Sequence, residues 1–347
     1  MLQALKKKKS YLFLLLLIIA SCLFIYVDFI FGNSFFMFGD IGSDTEAQYV
    51  MWYSSIADKV RTGTFSFWDF KNGFGANIAT EGLYDPFQIL ICIFGAIFGS
   101  PFISNILIYI NILKVVLAGL FMLYFLGSFS LSEKVKVITA YMYAFNGFMM
   151  VWGQHYQFAT IVVYLPLVFA AVEQALHSKK RWVFVALMTA IIGVYSLYFC
   201  YMSLITVGVY GIIRLFQIDC EIKEKVKVSA REIFAVLLGL GMACFALVPS
   251  AYVILNVSMR TDSDASIVQR LISSFTFFPR EYYKMLAFRT FSSNLQGSVN
   301  YFGYLNYYEA LNFCCSNLLI FLLFQYMFLL FRKSVPLKEK ALLKSDM

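Results

Sequence analysis

The sequence predicts an all-α polytopic membrane protein, and three observations carry that prediction. Of its 347 residues, 61% are hydrophobic and only 14% charged. A soluble domain carries roughly 25% charged residues and keeps a polar exterior, so a soluble helical fold with an oversized core is excluded. Second, the apolar residues come in runs close to the ~20 residues that cross a bilayer as a helix. Third, Lys and Arg gather at the ends of those runs, as "KKKK" does at Lys6–Lys9.

The first run, Tyr11–Phe31, is too long for the apolar core of a signal peptide and has no A-x-A-like site after it. It reads as an uncleaved signal anchor with the N-terminus cytoplasmic. Further spans are expected at Phe102–Leu126, Val137–Trp152, Phe158–Leu176, Trp182–Phe199, Cys200–Phe216, Ile233–Asn256 and Glu309–Phe331. Pro86–Phe98 is too short to cross and reads as a re-entrant or interfacial helix, allowed where protein covers its backbone. With that choice, 19 of the 28 Lys and Arg residues fall on one side against 8 on the other. The positive-inside rule makes the richer side cytoplasmic. About eight spans with both termini cytoplasmic follow.

The expected organisation is a single membrane domain over residues 1–347. Its first span is 11–31, and an extracytoplasmic loop with amphipathic and re-entrant helices covers 32–98. A helical bundle covers 102–256, a second extracytoplasmic loop 257–308, and the last span 309–331. Within the bundle, 182–216 barely allows two crossings at ~1.5 Å per residue. A hairpin with its tip near "YSLYFCY" is expected, presenting Tyr195, Ser196, Tyr198 and Tyr201; one kinked segment is the alternative.

The net charge of +8 would suggest nucleic acid in a soluble protein. Beside apolar runs it points to the lipid bilayer and to topology, with no nucleic-acid partner. Of seven cysteines, only Cys220 lies in a polar segment, and no Cys/His metal spacing occurs. They read as small buried hydrophobes.

The first outer loop concentrates the polar chemistry. In "GDIGSDTEAQYVMWYS", Asp44 and Gln48 are spaced i, i+4, as are Thr45 and Tyr49, so each pair shares a helix face. Ser43 or Asp44 suits the N-cap of a helix running to Gly63. Capping explains one acid but not Asp40, Asp44 and Glu46 together. Downstream, "GTFSFWDFKNGFGANIATEGLYDPFQ" interleaves Trp68, Asn77, Tyr84 and Asp85 with glycines. Rings that stack on sugar faces, beside amides and acids that bond hydroxyls, suit a sugar site; an interfacial aromatic belt with turn residues is the alternative.

Lys114 sits mid-span, where insertion costs at least ~2.5–3.5 kcal/mol, so it should face a polar cavity or a partner. A lipid phosphate would suit it. His155, in "WGQHYQF", follows the third span at the outer surface, where a lone histidine is more often inert than catalytic. Arg260, Arg270, Arg280, Lys284 and Arg289 in the second outer loop suit phosphates or anionic head groups.

The order of these stretches resembles a known family. "GDIGSDTEAQY", "GTFSFWDFKNGFGAN", "YDPFQIL", "YAFNGFMMVWGQHYQFATIVVYLPLVFAAVEQAL" and "YSLYFCYM" together are similar to the YfhO family of bacterial membrane proteins. That family is associated with the GT-C class of integral membrane glycosyltransferases. The likeness covers roughly Leu14 to Leu255 and loosens beyond. Family members are usually longer, so the chain is expected to be a short or truncated member.

The resemblance implies a GT-C-like helical bundle with a long first extracytoplasmic loop. It implies transfer of a sugar from a polyprenyl-phosphate donor to an envelope polymer, such as lipoteichoic acid, outside the bacterial cell membrane. The family's Asp-x-x-x-Gln pattern falls on Asp44 and Gln48, with Tyr49 after it. Asp40 competes with Asp44 as the catalytic acid, and Glu46 is a supporting candidate. Trp68, Asn77, Asp85, His155, Lys114 and Tyr198 complete the expected substrate-binding set. Some enzymes of the class use a divalent cation, Mg or Mn, and others none; Asp44 and Glu46 are the ligands expected here. The alternatives are a transporter or flippase for a lipid-linked sugar, or a non-catalytic truncated remnant.

Overall fold

The computed structural model describes residues 2–38, 44–70, 75–78, 84–218, 220–256, 277, 279–291, 322 and 324–325. The chain opens with α1 (Leu2–Ile25) and the short α2 (Val27–Ile30). A π-helical turn, Thr45–Val50, leads directly into α3 (Met51–Thr62). A two-rung hairpin, β1 (Trp68–Asp69) with β2 (Ala76–Asn77), is the one sheet among the described residues. Then come α4 (Pro86–Phe98), α5 (Ile103–Leu126), α6 (Glu133–Ala144), α7 (Gly147–Trp152), α8 (Thr160–His177), α9 (Trp182–Tyr195), α10 (Leu197–Gln217), α11 (Ile222–Met242) and α12 (Cys244–Asn256). A last described helix is Arg280–Phe291.

The fold is that of an all-α polytopic membrane protein. Four helical stretches are long and apolar enough to cross a bilayer: Lys8–Ile25, Ser100–Leu126, Thr160–His177 and Leu197–Gln217. The α11–α12 pair makes a fifth if taken together, bent by 76° at its break. Two expectations change in detail. The run Val137–Trp152, read as one span, is divided between α6 and α7 with a non-helical step at Asn146, whose Oδ1 accepts the Met149 N–H at 2.9 Å. Ile233–Asn256 is bent rather than straight. The expected span 309–331 lies outside the described residues except for 322, 324 and 325, as does nearly all of the loop 257–308.

Other boundaries follow their local chemistry. α4 begins where expected because Asp85 caps it, accepting the Phe87 N–H at 2.9 Å, with Pro86 in the first turn. α3 ends at Gly63, whose φ of +69° takes the left-handed turn that closes a helix C-terminus. The hairpin breaks at Ser196, which caps α10 through the Phe199 N–H. At ~1.5 Å per residue the 14 residues of α9 span ~21 Å, less than a bilayer core.

The chain divides into two units. The first is Met1–Ala144 with Trp152–Val253. Inside it α5 is the central post, packed by α1, α4, α6 and α8; α8 leans on α9 and α10, and α9 on α11, while α3 lies against α4. The second is Phe145–Val151 with Ile254–Met347, of which the described parts are chiefly most of α7 and the helix Arg280–Phe291.

Candidate functional site

The π-helical turn carries the first part of the site. Asp44 is already helical in backbone (φ −61°, ψ −32°) and makes no capping bond, so it does not act as the expected cap. Its Oδ1 instead accepts from Gln48 Nε2 at 2.7 Å, which is the shared face predicted by the i, i+4 spacing. Thr45 fastens the turn from beneath: its Oγ1 donates to the Phe38 carbonyl at 2.6 Å and accepts the Phe38 N–H at 3.2 Å. Glu46 is exposed, Asp44 half-buried.

Tyr49 then links this turn to the segment between α7 and α8. Its hydroxyl lies 3.1 Å from His155 Nδ1 and accepts from Gln157 Nε2 at 3.2 Å. The imidazole is packed between Trp152 (4.9 Å between centroids) and Phe158 (5.4 Å, nearly parallel). Burial, offset in part by the Gln157 bond and reinforced by the Asp44 charge, pushes the Tyr49 phenol up to about 12.

Under that edge lies a second, enclosed group. Asp85 is 0% exposed and accepts from the Thr160 hydroxyl at 2.7 Å as well as from Phe87 N–H and Gln88 Nε2. Burial pushes its carboxyl above the ordinary range, and the nearby Lys114 ammonium with these donors pulls against that. Lys114 is 1% exposed, donates to the Tyr156 carbonyl, and stands 5.0 Å from the Phe87 ring centroid. The ammonium is closed in by protein, with the Tyr156 carbonyl as its hydrogen-bond partner. Asp85 is likewise engaged with the start of α4 and with Thr160.

The hairpin holds Trp68 apart from this group. Trp68 pairs with Asn77, and its indole lies on Gly75, whose φ of +122° no ordinary side chain adopts. Asp69, buried, receives Lys59 at 2.8 Å and Ser55 at 3.0 Å, which ties the hairpin to α3. Trp68 itself is about half exposed, and Tyr198, at the start of α10, is exposed beside Phe199.

The structure therefore brings together Asp44, Gln48, Tyr49 and His155, and beneath them Asp85 and Lys114. Asp40, Ser43, Asn72, Gly73, Glu81, Arg260 and Arg270 lie outside the described residues. Among the described residues no three His, Cys, Asp or Glu side chains gather as a metal site. Asp44 and Glu46, the ligands expected for a divalent cation, supply two carboxylates among the described residues. Sequence reasoning missed Gln157, Tyr156 and Thr160. All three lie in or next to "WGQHYQF", whose density of polar and aromatic residues at a span end was the available signal.

The order of these pieces along the chain decides its kinship: residues 11–343 match the family described as bacterial membrane protein YfhO. This chain belongs to the YfhO family. Neither a curated protein nor a solved structure matches it. The YfhO match spans both the Asp44 turn and the His155 segment, so the site just described lies wholly inside the family's extent.

Proposed function

We propose that this YfhO-family protein is a membrane glycosyltransferase that moves a sugar from a polyprenyl-phosphate donor to an envelope polymer outside the bacterial cell membrane. The observation that carries the reading is the Asp44–Gln48 pair, held at 2.7 Å on a turn that Thr45 and Tyr49 fix from below. A half-buried carboxylate aligned by an amide is suited to general base work. The acceptor hydroxyl attacks the anomeric carbon and gives its proton to Asp44. The bond from that carbon to the phosphate oxygen breaks, and its electron pair leaves with the polyprenyl phosphate. Lipoteichoic acid is the acceptor the family resemblance favours. The cytoplasmic position of both termini belongs to the same reading, because it puts the Asp44 turn outside.

Asp44→Asn tests it. Asparagine keeps an oxygen for Gln48 but removes the charge and the proton acceptor. In cells without another copy, the variant should accumulate normally while sugar is lost from the envelope polymer. Unchanged glycosylation would overturn the assignment; unchanged sugar transfer with altered export of lipid-linked sugar would point to a transporter.

A further inference from the structure

Three backbone carbonyls around the His155–Gln157 segment or its seat are each taken by a side chain from elsewhere. Lys114 in α5 donates to the carbonyl of Tyr156, and Tyr195 at the end of α9 donates to that of Gln157. The Tyr156 hydroxyl in turn donates to the Phe36 carbonyl at 2.7 Å, ahead of the Asp44 turn. A turn held at successive carbonyls cannot rotate its peptide planes independently, so the Gln157 side chain between them is held in direction as well as place. The His155 carbonyl just before them accepts the Phe158 N–H at 2.7 Å, and the His155 and Gln157 side chains both converge on the Tyr49 hydroxyl.

We infer that Lys114 is a positioning residue: through the Tyr156 carbonyl it sets the turn from which His155 and Gln157 grip Tyr49. The inference rests on the Tyr49 edge belonging to the transfer site, but its test does not require transfer. An ammonium in this span costs too much to be kept for packing alone. The cluster is also arranged for charge. Asp85 faces three donors, and Lys114 has a carbonyl and an aromatic face before it.

The same geometry holds the imidazole in one tautomer, because His155 Nδ1 meets a Tyr49 hydroxyl whose oxygen also accepts from Gln157.

The chain has two histidines, so His177→Gln leaves His155 as the sole reporter. In that background, purified in lipid nanodiscs, imidazole 15N spectra should show a single tautomer for the parent. Lys114→Met removes the donor to the Tyr156 carbonyl and should give a spectrum averaged between the two tautomers. Asp85→Asn, which leaves that contact in place, should keep the parental spectrum. The pair Lys114→Met with Asp85→Asn, which buries neither charge, carries the expectation of Lys114→Met where the single variant folds poorly. A parental spectrum from either variant lacking Lys114 would overturn the positioning role. An averaged spectrum from Asp85→Asn would overturn it too, since loss of any buried charge would then loosen the turn. Neither outcome depends on whether a sugar is transferred, so loss of this inference and loss of the transferase reading are separable.

Discussion

The Tyr49 hydroxyl and His155 Nδ1 stand 3.1 Å apart across a sequence separation of 106 residues. One ring belongs to the π-helical turn ahead of α3 and the other to the turn before α8, so the contact closes the acidic turn onto the helical bundle. Gln157 Nε2 shares the same hydroxyl. Tyr49 is therefore the point through which Asp44 and Gln48 acquire a fixed position relative to α5 and α8.

Tyr49→Phe removes both hydrogen bonds and keeps the ring. The cost should be about 2 kcal/mol, two bonds of ordinary worth, seen as a lowered Tm in detergent. The pH dependence has a definite sign. Tyr49 holds its proton up to about 12 in the folded chain, above the ~10 of an unfolded tyrosine. Its contribution is complete below about pH 10 and is lost as pH rises through the folded value. The Tm gap between parent and variant should accordingly narrow between about pH 10 and 12. A gap that stays constant would mean the phenol is not held as described.

Lys59→Met should loosen the hairpin without touching the Asp44 turn. It strips the buried Asp69 carboxylate of its cation while the Ser55 bond stays in place. Removing one partner of a buried pair costs roughly 3 kcal/mol. The expected result is faster proteolysis within residues 64–78. Protection equal to the parent's would show that Asp69 is held by its other contacts.

Gly75→Ala strikes the same hairpin at the residue just before β2. A Cβ there would fall 2.5 Å from Trp68 Nε1, on a backbone with φ of +122°. Strain of about 1–3 kcal/mol adds to the clash, so the indole must leave its seat. A change in Trp68 fluorescence is expected in a chain whose Trp52, Trp152 and Trp182 are replaced by Phe. Emission from the Gly75→Ala variant identical to its parent's would remove the close approach from the account.

Much of this was legible beforehand, for physical reasons that differ by element. α4 was readable to the residue because Asp85-Pro86 and Gly99 are strong local signals at its two ends. The Asp44–Gln48 contact followed from helical spacing alone. Ser196 could be placed because 182–216 is too short for two full crossings. The Lys114 partner was not readable: Tyr156 offers a backbone carbonyl, and every residue has one. Nor was the Tyr49–His155 contact, which depends on how α5 and α8 pack and not on any local pattern. The division at Asn146 was hidden because an apolar run looks the same whether its helix is continuous or capped midway.

At the far end of α8 a different buried group should behave by its charge balance. Glu173 is 0% exposed and is gripped by Arg214, whose Nη2 lies 3.2 Å from Oε2, with Tyr210 and His177 beside it. Arg214 also donates to Gln217 Oε1 at 2.6 Å and covers the Phe129 ring at 5.4 Å. Arg214→Met keeps length and loses the charge, leaving Glu173 uncompensated between α8 and α10, at a cost of roughly 3–5 kcal/mol. Adding Glu173→Gln removes the orphaned charge and should return most of that loss, because a neutral amide still bonds Tyr210. The measurement is Tm for the two singles and the double in one detergent. Equal destabilisation in the double and in Arg214→Met would place the value of Arg214 in its stacking on Phe129 instead of in the ion pair. The Asp44 turn meets the other end of α8, so the proposed sugar transfer by the folded fraction should be the same in all three.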